Sequence, residues 1–248
     1  AIGNEFVAKA PADGYTLLLG AAGPLTVNPA LYAKLPFDTL RDFAPITLAA
    51  SSPFTLALHP SIPARNLKEF IALAKAQPGK LNYASTSPRG AAGIVGEWFN
   101  HVAGTRIVQI PYKTTAQAAQ DTASGVTQLI IISLGVVQPF VQAGKIRVVG
   151  VNASHRHPQL PEVRTVSETY AGFDLDSWLA LVVPRGTPRE IVLRLNRETN
   201  AFMREPQRAS GDTYVSVGKG SPEEVSQFIE RDRELWAKIT RELGIKPE

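Results

Sequence analysis

The chain has 248 residues, 44% of them hydrophobic and 19% charged, with 19 Gly, 19 Pro and no Cys. A chain of this size buries roughly 70 to 75% of its unfolded surface, so it needs no covalent staple, and the lack of Cys removes disulfides, thiolate nucleophiles and thiolate metal ligands. The net charge of +4 comes from 26 basic and 22 acidic residues spread along the sequence, without the basic blocks, interleaved aromatics or finger spacings of a nucleic-acid binder.

Apolar, β-prone stretches occur at Tyr15 to Leu19, Ile46 to Ala49, Phe54 to Leu58, Leu81 to Ala84, Ile107 to Ile110, Leu129 to Ile132, Ile146 to Val151 and Leu179 to Val183. Helical periods lie between most of them. Asn66 reads as an N-cap with Glu69 three residues on, followed by a stripe of Leu67, Phe70, Ile71 and Ala74. Thr187-Pro188 opens a helix whose face carries Ile191, Val192, Leu195, Thr199 and Phe202. Ser221-Pro222-Glu223-Glu224 is a capping box ahead of Val225, Phe228, Ile229, Trp236, Ile239 and Leu243, and Gly244 ends that helix. Strand and helix in alternation predict a mainly parallel sheet covered on both faces, with ligands outside the strand C-termini. Two Pro-bearing stretches, Ala50 to Pro53 and Pro184 to Pro188, read either as crossings between an outer and an inner domain or as surface turns.

No apolar run reaches the roughly 18 residues of a membrane span, and the longest, Leu129 to Val137, is interrupted by Ser133 and Gly135. Residues 1–20 lack the basic-then-apolar order of a signal peptide.

The chemical motifs are sparse. Neither a nucleophile elbow nor a phosphate-binding P-loop is present, and Gly90, Gly93 and Gly96 are spaced to let a helix approach a sheet rather than to cradle a dinucleotide. His155 and His157 flank Arg156 with no third ligand nearby, so no metal site is expected, and no cofactor motif appears. His59 and His101 read as capping or surface residues, and no pair of carboxylates is spaced for acid and base work. The stretch "NYASTSPRGAAGIVGEWFN", residues 82–100, passes from a strand through small, turn-forming and basic residues into a helix. Unpaired N–H groups at such a helix start favour an anion. A phosphate cradle, a carboxylate clamp and a plain connection all fit.

The sequence resembles the solute-binding proteins of tripartite tricarboxylate transporters, the TctC or Bug-type family of periplasmic receptors. The resemblance runs through "AKAPADGYTLLLG", "NPALYAKLPFDTLRDFAPITLAASSPFTLALHPSIPA", "AKAQPGKLNYAS", "IPYK", "AGKIRVVGV", "PEVRTVSE", "SWLALVVPRGTP" and "GIKPE". It implies a two-lobed α/β periplasmic binding protein of type II-like architecture that closes on one small organic anion. The implied outer lobe is residues 1–53 and 178–248, and the inner lobe is residues 54–177. Implied partners are a small organic acid and the membrane permease subunits, with no enzymatic step. A ligand sensor read by a signalling partner and a non-binding scaffold are the alternatives.

Family members usually begin with a further strand, a Pro- and Gly-rich loop and a helix, and this chain lacks them; the exposed sheet edge this implies raises the expectation of a dimer or swapped assembly. Candidate ligand contacts implied by matched positions are Ala21, Ala22 and Gly23 in the loop Gly20 to Pro24, and Tyr112, Lys113 and Thr114 after "QIP". Trp178 either walls the pocket or belongs to the core, and Asn28 is expected to cap the helix after it. In the central loop Ser85, Thr86 and Ser87 keep side-chain donors, Pro88 has no N–H, and Gly90, Ala91 and Ala92 offer backbone only. Arg89 reads either as a bidentate grip on a carboxylate or as a solvent-facing arginine. Where the family often has an Asp at a strand end, this chain has Ile132 followed by Ser133. A plain or aromatic acid is therefore the expected ligand rather than an amino acid.

Overall fold

A computed structural model describes residues 2–86, 89–153, 155–204 and 215–248, with only the backbone described at 215–219. The chain divides into two compact units, Ala1–Ser51 with Ser177–Glu248, and Ser52–Asp176. The expected pair of strands at 46–49 and 54–58 is instead one 16-residue strand, β2 (Phe43–Leu58), which runs through the first change of unit. Pro53 does not break it because the strand changes partners there: pairing with one sheet ends at Ser51 and pairing with the other starts at Phe54. A missing N–H costs little at such a point. The stretch Pro184 to Pro188 lies inside the first unit and is not a crossing.

In the first unit, α1 (Ile2–Ala8) precedes β1 (Leu18–Ala21). The strand starts later than the expected Tyr15 because Gly14 has a positive φ and the Tyr15 N–H is held by the Asp13 carboxylate at 3.0 Å, which prolongs the turn. β1 does not end in the expected loop. Ala22 is already in helical conformation and opens a π-helical segment, Gly23–Val27, that continues as α2 (Asn28–Leu31). Asn28 is therefore inside a helical run, where its N–H reaches the Gly23 carbonyl, and is not an N-cap. After α3 (Thr39–Asp42) and β2, the chain returns through β7 (Asp176–Pro184), α8 (Arg189–Met203), β8 (Val215–Lys219) and α9 (Pro222–Glu242). β1 pairs antiparallel with β7, and β8 antiparallel with β2. The Ser221 capping box of α9 forms as its sequence dictates.

Trp178 is 1% exposed and belongs to the core of this unit, with Leu25, Phe37, Phe43, Val182, Val225 and Ile229. Its ring meets Phe228 edge to face at 5.5 Å, and its indole N–H donates to Asp232 Oδ2 at 3.0 Å. The Thr26 hydroxyl donates to the same oxygen at 2.6 Å. The core alternative offered by the sequence is thus the one seen for Trp178, and the buried carboxylate of Asp232 links the π-helical segment, β7 and α9.

The second unit comprises the rest of β2, α4 (Leu67–Ala76), β3 (Asn82–Ser85), α5 (Ala91–Ala103), β4 (Val108–Pro111), α6 (Thr115–Ala123), β5 (Leu129–Ser133), α7 (Leu134–Gln142) and β6 (Arg147–Asn152). Its strands are ordered β4-β3-β5-β2-β6. β3 is parallel to both β4 and β5, whereas β2 is antiparallel to β5 and to β6. The mainly parallel sheet expected from alternation is therefore mixed: β3, β4, β5 and β6 run one way and β2 is inserted against them. Alternation shows that helices follow strands, but it does not show the direction in which a strand enters the sheet. One face packs α4 and α5, where Phe70 stacks near Phe99 at 6.3 Å and Phe99 meets Phe173 edge to face. The other face packs α6 and α7 through Ala118, Ala119, Leu134 and Val137 against Ala57, Ile130 and Val151.

Asp232 provides a test of the first unit's core. Burial lifts its carboxyl above the ordinary carboxylate value, while the bonds from Thr26 and Trp178 pull it down. Between those two values the unfolded chain releases a proton that the folded chain keeps, so stability falls as pH rises through the window. Urea unfolding at pH values from about 4 to about 7 is expected to show this slope in the wild type and its loss in Asp232→Asn, whose carbonyl still accepts both bonds.

Candidate functional site

Four strands of the second unit end at one edge of its sheet, and three of them are each followed in the chain by a helix, β5 directly. β3 leads to α5, β4 to α6 and β5 to α7, while β6 ends at Asn152. Each helix start carries N–H groups with no acceptor in the preceding turn.

The three starts differ in how those groups are satisfied. At α6 the Thr114 hydroxyl accepts from the Gln117 N–H at 3.2 Å, so that end is closed by its own side chain. At α5 the cap is Gly90, which has no side chain, and the first helical residues are Ala91 and Ala92. At α7 the cap is Ser133, whose hydroxyl makes no capping bond. Elsewhere Asp38, Asn66 and Ser221 cap α3, α4 and α9 with their side chains, whereas α8, which starts after Pro188, has no side-chain cap; α5 and α7 are distinguished by starting at neighbouring strand ends. The π-helical segment after β1 opens at Ala22, again with no side-chain cap. Ala21 ends β1, Gly23 starts the segment, and Ala22 itself is buried in the core of the first unit.

The other residues expected from the sequence take the following places. Ser85 is buried and accepts from the Gln109 side chain at 2.6 Å, while its carbonyl accepts the Tyr112 N–H at 2.8 Å, so it fixes β4 beside β3. Thr86 is half-buried. Ser87, with Pro88, lies outside the described residues. Arg89 is exposed and directly precedes the Gly90 cap. Tyr112 packs against the cluster under α6 and α7, and its phenol is pushed up by burial and by Asp121 beside it. Lys113 and Thr114 are exposed. Ile132 is buried in the same apolar cluster, on the face opposite to that of Ser133.

Asn152 was not singled out by the sequence. It ends β6, is 0% exposed, and neither its carboxamide oxygen nor its nitrogen has a hydrogen-bond partner among the described residues. Its only sequence signal is an Asn at the end of an apolar strand, which also describes many ordinary turns.

α5 is held at its distance from the sheet by Tyr83. The Tyr83 hydroxyl lies 2.8 Å from Glu97 Oε1 and 3.2 Å from the Gly93 carbonyl. Burial, then Glu97, pushes the phenol well above its ordinary value, so it stays a donor. A Cβ on Gly96 would overlap the Tyr83 ring. Of the three glycines at three-residue spacing, Gly96 thus serves close packing, while Gly90 is the cap of α5.

A family model, "Tripartite tricarboxylate transporter family receptor" (TctC), matches residues 1–245. The chain belongs to this receptor family. Protein BugT of Bordetella pertussis is 32% identical over 252 residues, covering 99% of this chain and 76% of that protein. A protein from the tcbD-tcbE intergenic region of a Pseudomonas species is 32% identical over 242 residues, 96% of this chain and 72% of its own. Among solved structures, R. palustris Rpa4515 with adipate superposes with a TM-score of 0.85 at 31% identity, covering 100% of this chain and 84% of that one. The periplasmic binding protein BugD gives 0.79 at 26% identity, with 100% and 84% coverage. The receptor's architecture is thus that of the solute-binding proteins, and among its described residues no helix is long and apolar enough to cross a membrane.

The receptor's α5 yields the next prediction. Gly96→Ala raises helix propensity yet forces the Tyr83 ring aside, and a net loss of about 1–3 kcal/mol is expected in urea unfolding. The loss should shrink when Tyr83 is truncated to Ala in the same chain.

Proposed function

We propose that this chain is a periplasmic receptor that captures a small organic acid and delivers it to the membrane permease subunits of a tripartite tricarboxylate-type transporter, without transforming it. The observation that carries this reading is that two helix starts without side-chain caps stand at the ends of neighbouring parallel strands. α4, α6 and α9 close their own N-termini with Asn66, Thr114 and Ser221, whereas α5 and α7 leave theirs open at neighbouring strand ends. Their N–H groups and the positive ends of their dipoles suit a carboxylate. Arg89, one residue before the α5 cap, adds a cation at the same helix end. In the first unit, Ala22 and Gly23 open a further uncapped helical start. The two units correspond in this reading to the two lobes of the receptor. Rpa4515, solved with adipate, supports an acid as the ligand class.

The test is a thermal-denaturation series with mono-, di- and tricarboxylates and aromatic acids. A ligand at 100 times its Kd adds ~2.7 kcal/mol to stability, and an absence of any shift across the series would sink the reading. Gly90→Asp supplies the missing cap and a fixed negative charge. It is expected to raise ligand-free stability by a few tenths of a kcal/mol and to weaken acid binding at least tenfold, about 1.4 kcal/mol.

A further inference from the structure

A cavity of about 500 Å³ opens in the second unit at the end of β6 remote from the rim. β6 starts at Arg147, which lines this cavity, and reaches the rim at Asn152, roughly 17 Å further on. The walls carry four cations, Arg65, Lys68, Arg147 and Arg164, and one carboxylate, Glu162. Leu67, Val148 and Val163 form the apolar part. Among the described residues none of the four cations is in an ion pair, and Glu162 pairs with none of them. Arg147 Nη1 donates to the Ala64 carbonyl at 3.0 Å, which fixes that half-buried guanidinium while most of its donors stay unused. Glu168, whose carboxyl also feels Arg164, is already held by Arg156 through two bonds of 2.8 Å.

Two observations set this cavity apart from an ordinary basic surface. A cavity of about 270 Å³ in the first unit also carries cations, but there Arg41 pairs with Asp42 and Arg233 with Asp38. Secondly, Arg65 and Lys68 flank the cap of α4, at the positive end of the helix dipole, where cations are disfavoured. Asn66 caps that helix itself, accepting from the Glu69 N–H at 3.0 Å, so the attraction for an anion comes from the side chains. Four unpaired cations around one space repel one another, and a bound polyanion reverses that cost.

We infer that this cavity is a second ligand site, separate from the acid-binding rim, and that it takes an organic diphosphate. Glu162 offsets one of the four cations, so a single carboxylate would leave most of the positive charge uncompensated. A diphosphate ester carries about three negative charges on one compact group. Guanidinium forks match phosphate oxygens two at a time, and Arg147, already oriented by Ala64, anchors the group. The organic part lies against Leu67, Val148 and Val163, in a volume within the usual range of small-molecule sites.

The experiment measures binding of ADP, inorganic pyrophosphate, adenosine and citrate by calorimetry at low and high salt. It uses the wild-type chain and the triple variant Arg65→Gln/Lys68→Gln/Arg164→Gln, which leaves Arg147 on Ala64. The control, Arg194→Gln/Arg231→Gln/Arg241→Gln, removes the same charge from exposed cations of the first unit. ADP is expected to bind the wild type more tightly than pyrophosphate, to weaken as salt rises, and to outbind adenosine at least tenfold. The cavity variant is expected to lose at least about tenfold in ADP affinity while melting no lower than the wild type, and the control to keep the wild-type affinity. Absence of ADP binding to the wild type overturns the proposal. So does an equal loss in both triple variants, which marks general attraction to a basic protein, and so does citrate binding lost in the cavity variant without any ADP binding. Acid binding at the rim is expected to be unchanged in the cavity variant, so the receptor reading stands or falls separately: ADP binding as expected with no acid bound would overturn that reading alone.

Discussion

A helix that begins where a strand stops has N–H groups in its first turn that must find an acceptor, in the chain, in water or in a ligand. Most features of the second unit follow from where this chain satisfies that demand and where it does not. The same sheet edge carries one start closed by Thr114 and two left open at Gly90 and Ser133. The open starts follow neighbouring parallel strands, β3 and β5, so two sets of N–H groups and two dipoles emerge side by side. A carboxylate placed there gains charge-assisted bonds without any cationic side chain being buried.

Such a site works only if the two helix ends stay in register with the sheet, and the packing beneath them serves that purpose. Gly96 lets Tyr83 lie under α5, and the buried phenol, kept protonated, bonds the Gly93 carbonyl and Glu97 one turn further on. Ser85 ties β3 to β4 through both its hydroxyl and its carbonyl. The first unit shows the same design around a different group. There Asp232 binds Thr26 of the π-helical segment and Trp178 of β7, so the helical start at Ala22 is anchored from within the core.

How much of this was legible in the sequence depended on whether the relevant interaction is local. The caps at Asn66 and Ser221, the stripes behind them and the ends of β3 to β6 could be read closely, because capping and periodicity are settled within a few residues. The end of β3 at Ser85 and the start of α5 after Gly90 are legible for the same reason, since a strand, a run of small residues and a helical pattern lie side by side in the sequence. The errors involve contacts distant in sequence. β2 was read as two strands because Pro53 breaks an isolated strand but not one that changes partners at that residue. The direction of β2 against β5 and β6 depends on pairings with segments more than 70 residues away. Trp178 looked like a pocket wall as much as a core residue until Asp232, 54 positions on, was seen to bond it. Asn152 was missed because its significance lies in the partners it lacks, and no local pattern encodes that.

The distribution of satisfied and unsatisfied polar groups carries the last step. Some buried polar groups in the scaffold are bonded, Thr122 to Thr127 and Thr55 to the Ile132 carbonyl, while others, among them Asn4 Nδ2, Asn82 Oδ1 and Trp236 Nε1, have no hydrogen-bond partner among the described residues. At the rim, Gly90 provides no cap, Ser133 withholds one, and Asn152 is buried without a partner among the described residues. A sequence selected for stability alone would replace all three, since an Asp or Ser cap and an apolar strand residue are each single substitutions that gain a few tenths of a kcal/mol to about 3 kcal/mol.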